Sequence, residues 1–336
     1  MSNIAIFGAG SWGTALAQSF ASYGHQVSLW ARNIDQVAKM NDNRVNAHYL
    51  PGIRLHDNIR FTADVNDTVG VDYSIIAVPT QAQRQFLADH RDRFSGQEPL
   101  INVAKGLEAS SGKRLSDIYN EVLGDVDQRY VVLYGPSHAE EVGRNMPTVL
   151  VAAAHDEALA AKVQQDLMNE NLRLYTTDDV TGVELGGALK NIIALAIGMT
   201  VGLGYGDNAR AALMTRGLAE ITRLGVKSGA NPLTFLGLTG VGDLIVTCTS
   251  GHSRNRTAGV QLGQGRTLDD VLAHMGMVVE GVPTTRAAYE RAKELGISMP
   301  IVSHMYEVLF NAADVNQAAL ALMTRSGKSE QEDYLN

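Results

Sequence analysis

Apolar residues fall into two regimes along the chain. Up to about residue 178, short continuous apolar runs alternate with helical or loop segments, whereas beyond it apolar positions recur at helical spacing and strand-like runs all but vanish. Strands are predicted at Asn3–Phe7, Gln26–Trp30, Ile59–Thr62, Tyr73–Val78, Leu100–Val103, Tyr130–Tyr134, Thr148–Val151 and Leu172–Thr176, with a helix near Glu157–Met168. Runs that are apolar throughout, rather than alternating, belong to a largely parallel sheet covered on both faces. The change of period predicts an α/β domain over residues 1–178 and an all-helical C-terminal domain over residues 179–336. Helices are expected around Val183–Ile197, from Gly240 through Cys248, from Ser253 to Gly263, and near Thr284–Leu295 and Val302–Phe310. The glycine-rich stretch Gly202–Asn208 either links two helices or bends over a cleft. Ser326–Asn336 is polar and reads as loose.

The first strand runs directly into Gly8-Ala9-Gly10-Ser11-Trp12-Gly13, and a helical stretch follows. Strand, three spaced glycines and helix together specify a Rossmann-type dinucleotide-binding domain. Gly8 permits the tight turn, Gly10 lets the backbone approach a pyrophosphate, and Gly13 lets helix and strand pack closely. The helix N-terminus faces the anion. After the second strand, where an NAD-specific fold places an acid for the ribose hydroxyls, this chain has Ala31-Arg32-Asn33. Arg32 is either a solvated loop charge or the partner of a 2′-phosphate, and its position favours NADPH. Ligands of such sheets bind beyond the carboxyl ends of the strands, where Lys105, Gly135, Ser137 and Ala139 stand. His138 in the same stretch reads as a structural or surface histidine, and no metal site is predicted.

Just past the midpoint, Lys190 and Asn191 interrupt an apolar helix, with Gly187 and Gly186 three and four positions before the lysine and therefore on its face. Two adjacent glycines cost roughly 2 kcal/mol of helix stability relative to alanine, which implies that something approaches closely. The alternative is tight helix packing with a lysine that snorkels to water. Asp243 and Thr247, four apart, share a helix face, although an acid there commonly serves only as a cap. Ser253 is a plausible cap for Arg254 and Asn255, and cations at a helix N-terminus are unfavourable unless an anion joins them. Ser253-Arg254-Asn255 is thus a candidate phosphate site.

Composition narrows the classes. At 336 residues the chain has the length of two domains, 45% of it hydrophobic and 19% charged. A formal net charge of −8 argues against general nucleic-acid or anionic-membrane binding, so a site for a phosphorylated ligand must gather positive charge locally. The longest apolar run, around Ile192–Gly204, falls short of a membrane span. The N-terminus enters a strand at once, with no room for a signal peptide, and the lone Cys248 excludes an internal disulfide framework. A cytoplasmic location is the natural reading.

Gly8-Ala9-Gly10-Ser11-Trp12-Gly13-Thr14-Ala15, Lys105-Gly106-Leu107-Glu108, Gly135-Pro136-Ser137, Glu184-Leu185-Gly186-Gly187-Ala188-Leu189-Lys190-Asn191, Gly240-Val241-Gly242-Asp243-Leu244 and Ser253-Arg254-Asn255 together resemble the bacterial NAD(P)-dependent glycerol-3-phosphate dehydrogenases. The resemblance implies reversible interconversion of dihydroxyacetone phosphate and sn-glycerol 3-phosphate, supplying glycerophospholipid synthesis, in a homodimer using NADPH or also NADH. By motif it assigns Ser11, Trp12, Arg32, Lys105, Ala139, Arg254, Val278 and Glu280 to the cofactor. To the substrate it assigns Lys105, Gly135, Ser137, Lys190, Asp243, Ser253, Arg254 and Asn255. Lys190 is then the proton donor and acceptor; Lys105 and burial lower its pKa, Asp243 orients it, and Asn191 and Thr247 complete the polar shell. Three rivals stand against this. A dehydrogenase of similar build can act on another hydroxy substrate. A nucleotide-sugar dehydrogenase needs a catalytic cysteine, but Cys248 is read on the helix face opposite Asp243 and Thr247. An idle NADPH sensor has no use for Lys190, Asp243 and Ser253-Arg254-Asn255 together.

Overall fold

The computed structural model describes residues 1–327, 329 and 330, and divides into two units. The first comprises Met1–Ala104 and Ser116–Val180; the second comprises Lys105–Leu115 and the chain from Thr181 onward. Residue 328 and residues 331–336, most of the expected loose tail, lie outside the described residues. Lys105–Leu115 lies within residues 1–178 yet groups with the second unit, because Leu107 is buried in that unit's apolar core.

In the first unit the strands are β1 (Asn3–Phe7), β2 (Gln26–Trp30), β3 (Ile59–Thr62), β4 (Tyr73–Ile76), β5 (Leu100–Asn102), β6 (Tyr130–Tyr134), β7 (Thr148–Ala153) and β8 (Leu172–Thr177). They form one sheet in the order β3-β2-β1-β4-β5-β6-β7-β8. Pairing is parallel except between β6 and β7, where Leu133 lies opposite Ala152 in an antiparallel ladder. The helices of this unit are α1 (Ser11–Ser22), α2 (Ile34–Asn43), α3 (Thr80–Asp89), α4 (Leu115–Leu123), α5 (Ala139–Val142) and α6 (Glu157–Leu167). β4 and β6 are buried at every position, as strands covered on both faces must be. Registers Phe7↔Trp30 and Phe7↔Ile76 bring the ends of β1, β2 and β4 to one edge. The strand order reverses between β1 and β4, which makes that edge the ligand crevice of such sheets. Asn33 caps α2 by accepting from the Gln36 N–H at 3.1 Å, which fixes the turn that carries Arg32.

The second unit holds α7 (Val180–Gly202), α8 (Asp207–Lys227), α9 (Asp243–Thr249), α10 (Arg254–Gly263), α11 (Leu268–Met275), α12 (Gly281–Leu295), α13 (Pro300–Phe310) and α14 (Val315–Met323), with no strand among its described residues. Gly202–Asn208 links α7 to α8. At 23 residues, α7 is longer than the apolar run seen in the sequence and has the length and composition to cross a membrane, yet its apolar residues are buried in this unit. Its last turns pack backbone to backbone on α10. A Cβ at Gly198 would lie 2.1 Å from the Arg256 carbonyl oxygen, and one at Gly202 would lie 2.3 Å from that of Val260.

The start of α13 is satisfied from outside. Met299 provides no side-chain cap; instead the N–H groups of Ile301 and Val302 donate to Glu220 of α8 at 2.7 and 3.2 Å. Burial pushes the Glu220 carboxyl up to about 7, against the pull of those two N–H groups. Glu220→Ala strands both donors and is expected to cost about 1–3 kcal/mol of unfolding free energy by urea denaturation. A carboxyl raised in the folded state contributes stability that is complete below its unfolded pKa of about 4.5 and lost as pH rises through about 7. The stability of the wild type relative to Glu220→Gln should therefore fall across that window, and a flat difference would mean that Glu220 does not titrate there.

Candidate active site

A lysine inside an apolar helix needs acceptors, and α9 supplies them. Lys190 is only 5% exposed, and its Nζ bonds Asp243 Oδ1 and, at 2.6 Å, Thr247 Oγ1. The Thr247 hydroxyl donates to the Asp243 carbonyl oxygen at 2.6 Å, so it faces the ammonium as an acceptor. Asp243 is 1% exposed and does not cap α9, a position held by Gly242. Its second carboxylate oxygen accepts from Lys105 Nζ at 2.8 Å. One buried carboxylate thus stands between two lysines. Burial pulls the Lys190 pKa down to about 7; the Asp243 charge opposes that shift and the Lys105 cation reinforces it.

The turn before α9 sets this geometry. The expected helix from Gly240 instead begins at Asp243 and is preceded by a wide turn, Leu238–Gly242, in which the Gly242 N–H reaches the Gly237 carbonyl at 3.1 Å. Such i→i+5 turns re-aim the side chains that follow them. The same turn explains Gly186, where a Cβ would lie only 2.6 Å from the Thr239 carbonyl oxygen. What approaches that face of α7 is therefore the chain's own backbone, and the lysine does not snorkel to water.

Asn191 and Asn255 point into the unit rather than away from it. Asn191 donates to the Lys105 carbonyl at 3.3 Å and accepts from Asn255 Nδ2 at 3.0 Å, while Asn255 Oδ1 accepts from the Gly281 N–H at 2.8 Å. These links, invisible in the sequence, commit most of the Asn255 amide to the protein. Ser253 caps α10 by accepting from the Arg256 N–H at 3.3 Å, and Arg254 is exposed in the first turn. Val278 is exposed, and Glu280 immediately precedes α12. Cys248 is buried, and burial pushes its thiol up to about 12, which removes it as a nucleophile near neutrality.

In the first unit, the glycine turn fits a dinucleotide. Gly8 has φ +113°, and a Cβ there would stand 2.8 Å from the Ala77 carbonyl oxygen; at Gly13 it would stand 2.0 Å from that of Gly8. At Gly10 a Cβ would meet nothing within 4 Å, so the turn presents open backbone at the position where a pyrophosphate approaches. No side chain caps α1, and the buried Trp12 Nε1 has no hydrogen-bond partner among the described residues. Arg32 is exposed, and no ion pair involves it among the described residues. After β6, Gly135 has φ +147° and accepts at its carbonyl from Ser137 Oγ at 2.9 Å, and Ala139 opens α5.

Residues 3–160 match the family model for the N-terminus of NAD-dependent glycerol-3-phosphate dehydrogenase, and residues 179–320 match the model for its C-terminus. The chain belongs to the NAD-dependent glycerol-3-phosphate dehydrogenase family. It is 54% identical to the glycerol-3-phosphate dehydrogenase (NAD(P)+) of Geobacillus kaustophilus over 100% of this chain and 98% of that protein. It is 51% identical to the one from Bacillus subtilis over the same shares. The crystal structure of glycerol-3-phosphate dehydrogenase from Coxiella burnetii superposes with TM-score 0.92 at 35% identity, covering 96% of this chain and 99% of that one.

In this member of the glycerol-3-phosphate dehydrogenase family, Gly186→Ala sets a methyl group against the Thr239 carbonyl of the turn that carries Asp243. The expected outcome is a loss of about 1–3 kcal/mol in urea denaturation, the usual range for overpacking a tight contact. A gain of stability, as for an ordinary helical Gly→Ala change, would show that the turn yields freely.

Proposed function

We propose that the chain catalyses the reversible interconversion of dihydroxyacetone phosphate and sn-glycerol 3-phosphate with NAD(P)H, Lys190 being the proton donor and acceptor, and that it supplies glycerol 3-phosphate for phospholipid synthesis. The observation that carries this is the buried, near-neutral Lys190 held between Asp243 and Thr247. A bound nicotinamide exchanges the hydride; the chain must handle the proton. An ammonium has three donors, and with two directed at Asp243 and Thr247 the third serves a ketone oxygen. As charge grows on that oxygen, Lys190 gives up its proton, and in the reverse direction the neutral amine takes it back. A pKa near 7 makes both directions efficient at neutral pH. Lys105 adds positive charge beside the developing alkoxide and adds to the effect of burial in lowering the Lys190 pKa. The substrate phosphate is held at the α10 N-terminus by Arg254 and by backbone N–H groups, which aims the ketone at Lys190. Asn255, committed to Asn191 and Gly281, supports that site more than it grips the phosphate.

Lys190→Ala is expected to lower turnover by at least ~100-fold while cofactor binding, followed by fluorescence, survives. In the wild type, ketone reduction should fall and alcohol oxidation should rise as pH passes through about 7. Near-normal turnover in the variant would remove Lys190 from the chemistry.

Cofactor choice follows from the exposed Arg32 beyond β2. A guanidinium pairs bidentately with a 2′-phosphate, and solvent screening reduces the gain to a preference of about ten-fold for NADPH, or about 1.4 kcal/mol, with NADH still accepted. Arg32→Asp should reverse the ratio of kcat/KM values for the two cofactors. An unchanged ratio would mean that other groups read the 2′ position.

A further inference from the structure

Lys105 belongs to a segment with its own anchors. From Lys105 to Leu115 the chain packs with the second unit, and its two ends are fastened to different turns of α7. At one end the Lys105 carbonyl accepts from Asn191 at 3.3 Å and its ammonium reaches Asp243. At the other, Arg114 donates to Thr181 Oγ1 at 2.9 Å and to Glu184 Oε2 at 3.2 Å. Between them Leu107 is buried in the core, and Glu108 closes a turn with Gly112 and Lys113 through backbone bonds of 2.8 and 3.0 Å. Glu184 and Asn191 are seven residues apart, roughly 10 Å along the helix, so the segment is a strap tied across about two turns of α7. Glu184 is only 3% exposed. A carboxylate so buried is costly unless it is paired or hydrogen-bonded, and Arg114 pairs with it at 3.2 Å, at a place where no substrate role is assigned.

We propose that the Arg114–Glu184 pair is a positioning device: it tensions the strap against α7 and thereby holds the Lys105 ammonium at Asp243, next to Lys190. This rests on the function proposed above. The titratable groups that act on Lys190 are Asp243 and Cys248 from α9 and Lys105 from the strap. If the strap slackens, Lys105 withdraws, its repulsion of the Lys190 charge is lost, and Asp243 is left to Lys190 alone. Both changes favour the protonated amine. Alcohol oxidation, which needs the neutral amine, then requires a higher pH.

The test is the pH profile of kcat for glycerol 3-phosphate oxidation in wild type, Arg114→Ala, Arg114→Lys, Lys105→Ala, and the variant carrying both alanines. For Arg114→Ala the rising limb should move about one unit to higher pH, with kcat at pH 7 about five-fold lower and KM for glycerol 3-phosphate changed far less. Arg114→Lys should restore most of the wild-type profile. In the Lys105→Ala background, Arg114→Ala should produce no further displacement, because the two act through one group. A folded Arg114→Ala protein with the limb unmoved overturns the proposal. Should Arg114→Ala fail to fold, Glu184→Gln, which removes the charge and keeps the shape, must show the same displacement, and an unmoved limb there is equally decisive. Lys190→Ala run alongside separates the two levels: if it is inactive while Arg114→Ala is unmoved, only the strap proposal falls, whereas an active Lys190→Ala overturns the function on which it rests.

Discussion

The second unit is organised around the cost of keeping an ammonium out of water. Lys190 lies in the most apolar helix of the chain, and an isolated charge there would be neutralised or expelled. Asp243 offsets part of that cost, yet burial, the larger effect, still holds the Lys190 pKa down to about 7, and Lys105, on the other carboxylate oxygen, reinforces that shift. Removing Asp243 would leave two cations without the carboxylate they share. The surrounding architecture can be read as the means of holding these three side chains together.

That means is largely backbone packing. The Thr239 carbonyl fits against Gly186 and fixes the turn that aims Asp243; the close contact of Gly198 and Gly202 with α10 fixes the helix whose first turn carries Ser253 and Arg254. Asn191 and Asn255 then lock α7, α10, the start of α12 and the Lys105 carbonyl into one hydrogen-bonded series. Side chains can switch rotamers, whereas backbone surfaces in contact cannot shift without moving whole helices. The ion pairs among Lys190, Asp243 and Lys105 rest on supports of the second kind.

Much of this was legible in the sequence, and what was not has physical reasons. The strands, the glycine turn and the change of period near residue 178 are local signals. Lys190, Asp243 and Thr247 stood out because polar residues interrupt apolar helices at spacings that share a face. Strand direction is not local: Thr148–Ala153 has the composition of any buried strand, and its reversal depends on a connection that holds only the four-residue α5. Gly240 and Gly242 look like an ordinary helix start because a wide turn differs from a helix by one hydrogen-bond register. Nothing local in the sequence says that the Asn255 amide also bonds Asn191 and the Gly281 N–H. The allegiance of Lys105–Leu115 was hidden for the same reason: a strap has no periodicity, and its partners Thr181, Glu184 and Asn191 lie some seventy to ninety residues away.

The strap also bears on how such a protein can be rearranged. Because 105–115 belongs with the helices but lies within the sequence of the sheet unit, the chain passes from one unit to the other three times, after Ala104, Leu115 and Val180. A gene cut near residue 180 would separate Lys105 from Lys190 and leave the carboxylate of Asp243 with one cation instead of two. The nucleotide-binding half is therefore not a cassette that can be exchanged by a single crossover. Recombination that preserves this site must carry the strap and the helices together, which ties the inheritance of the two halves to one another.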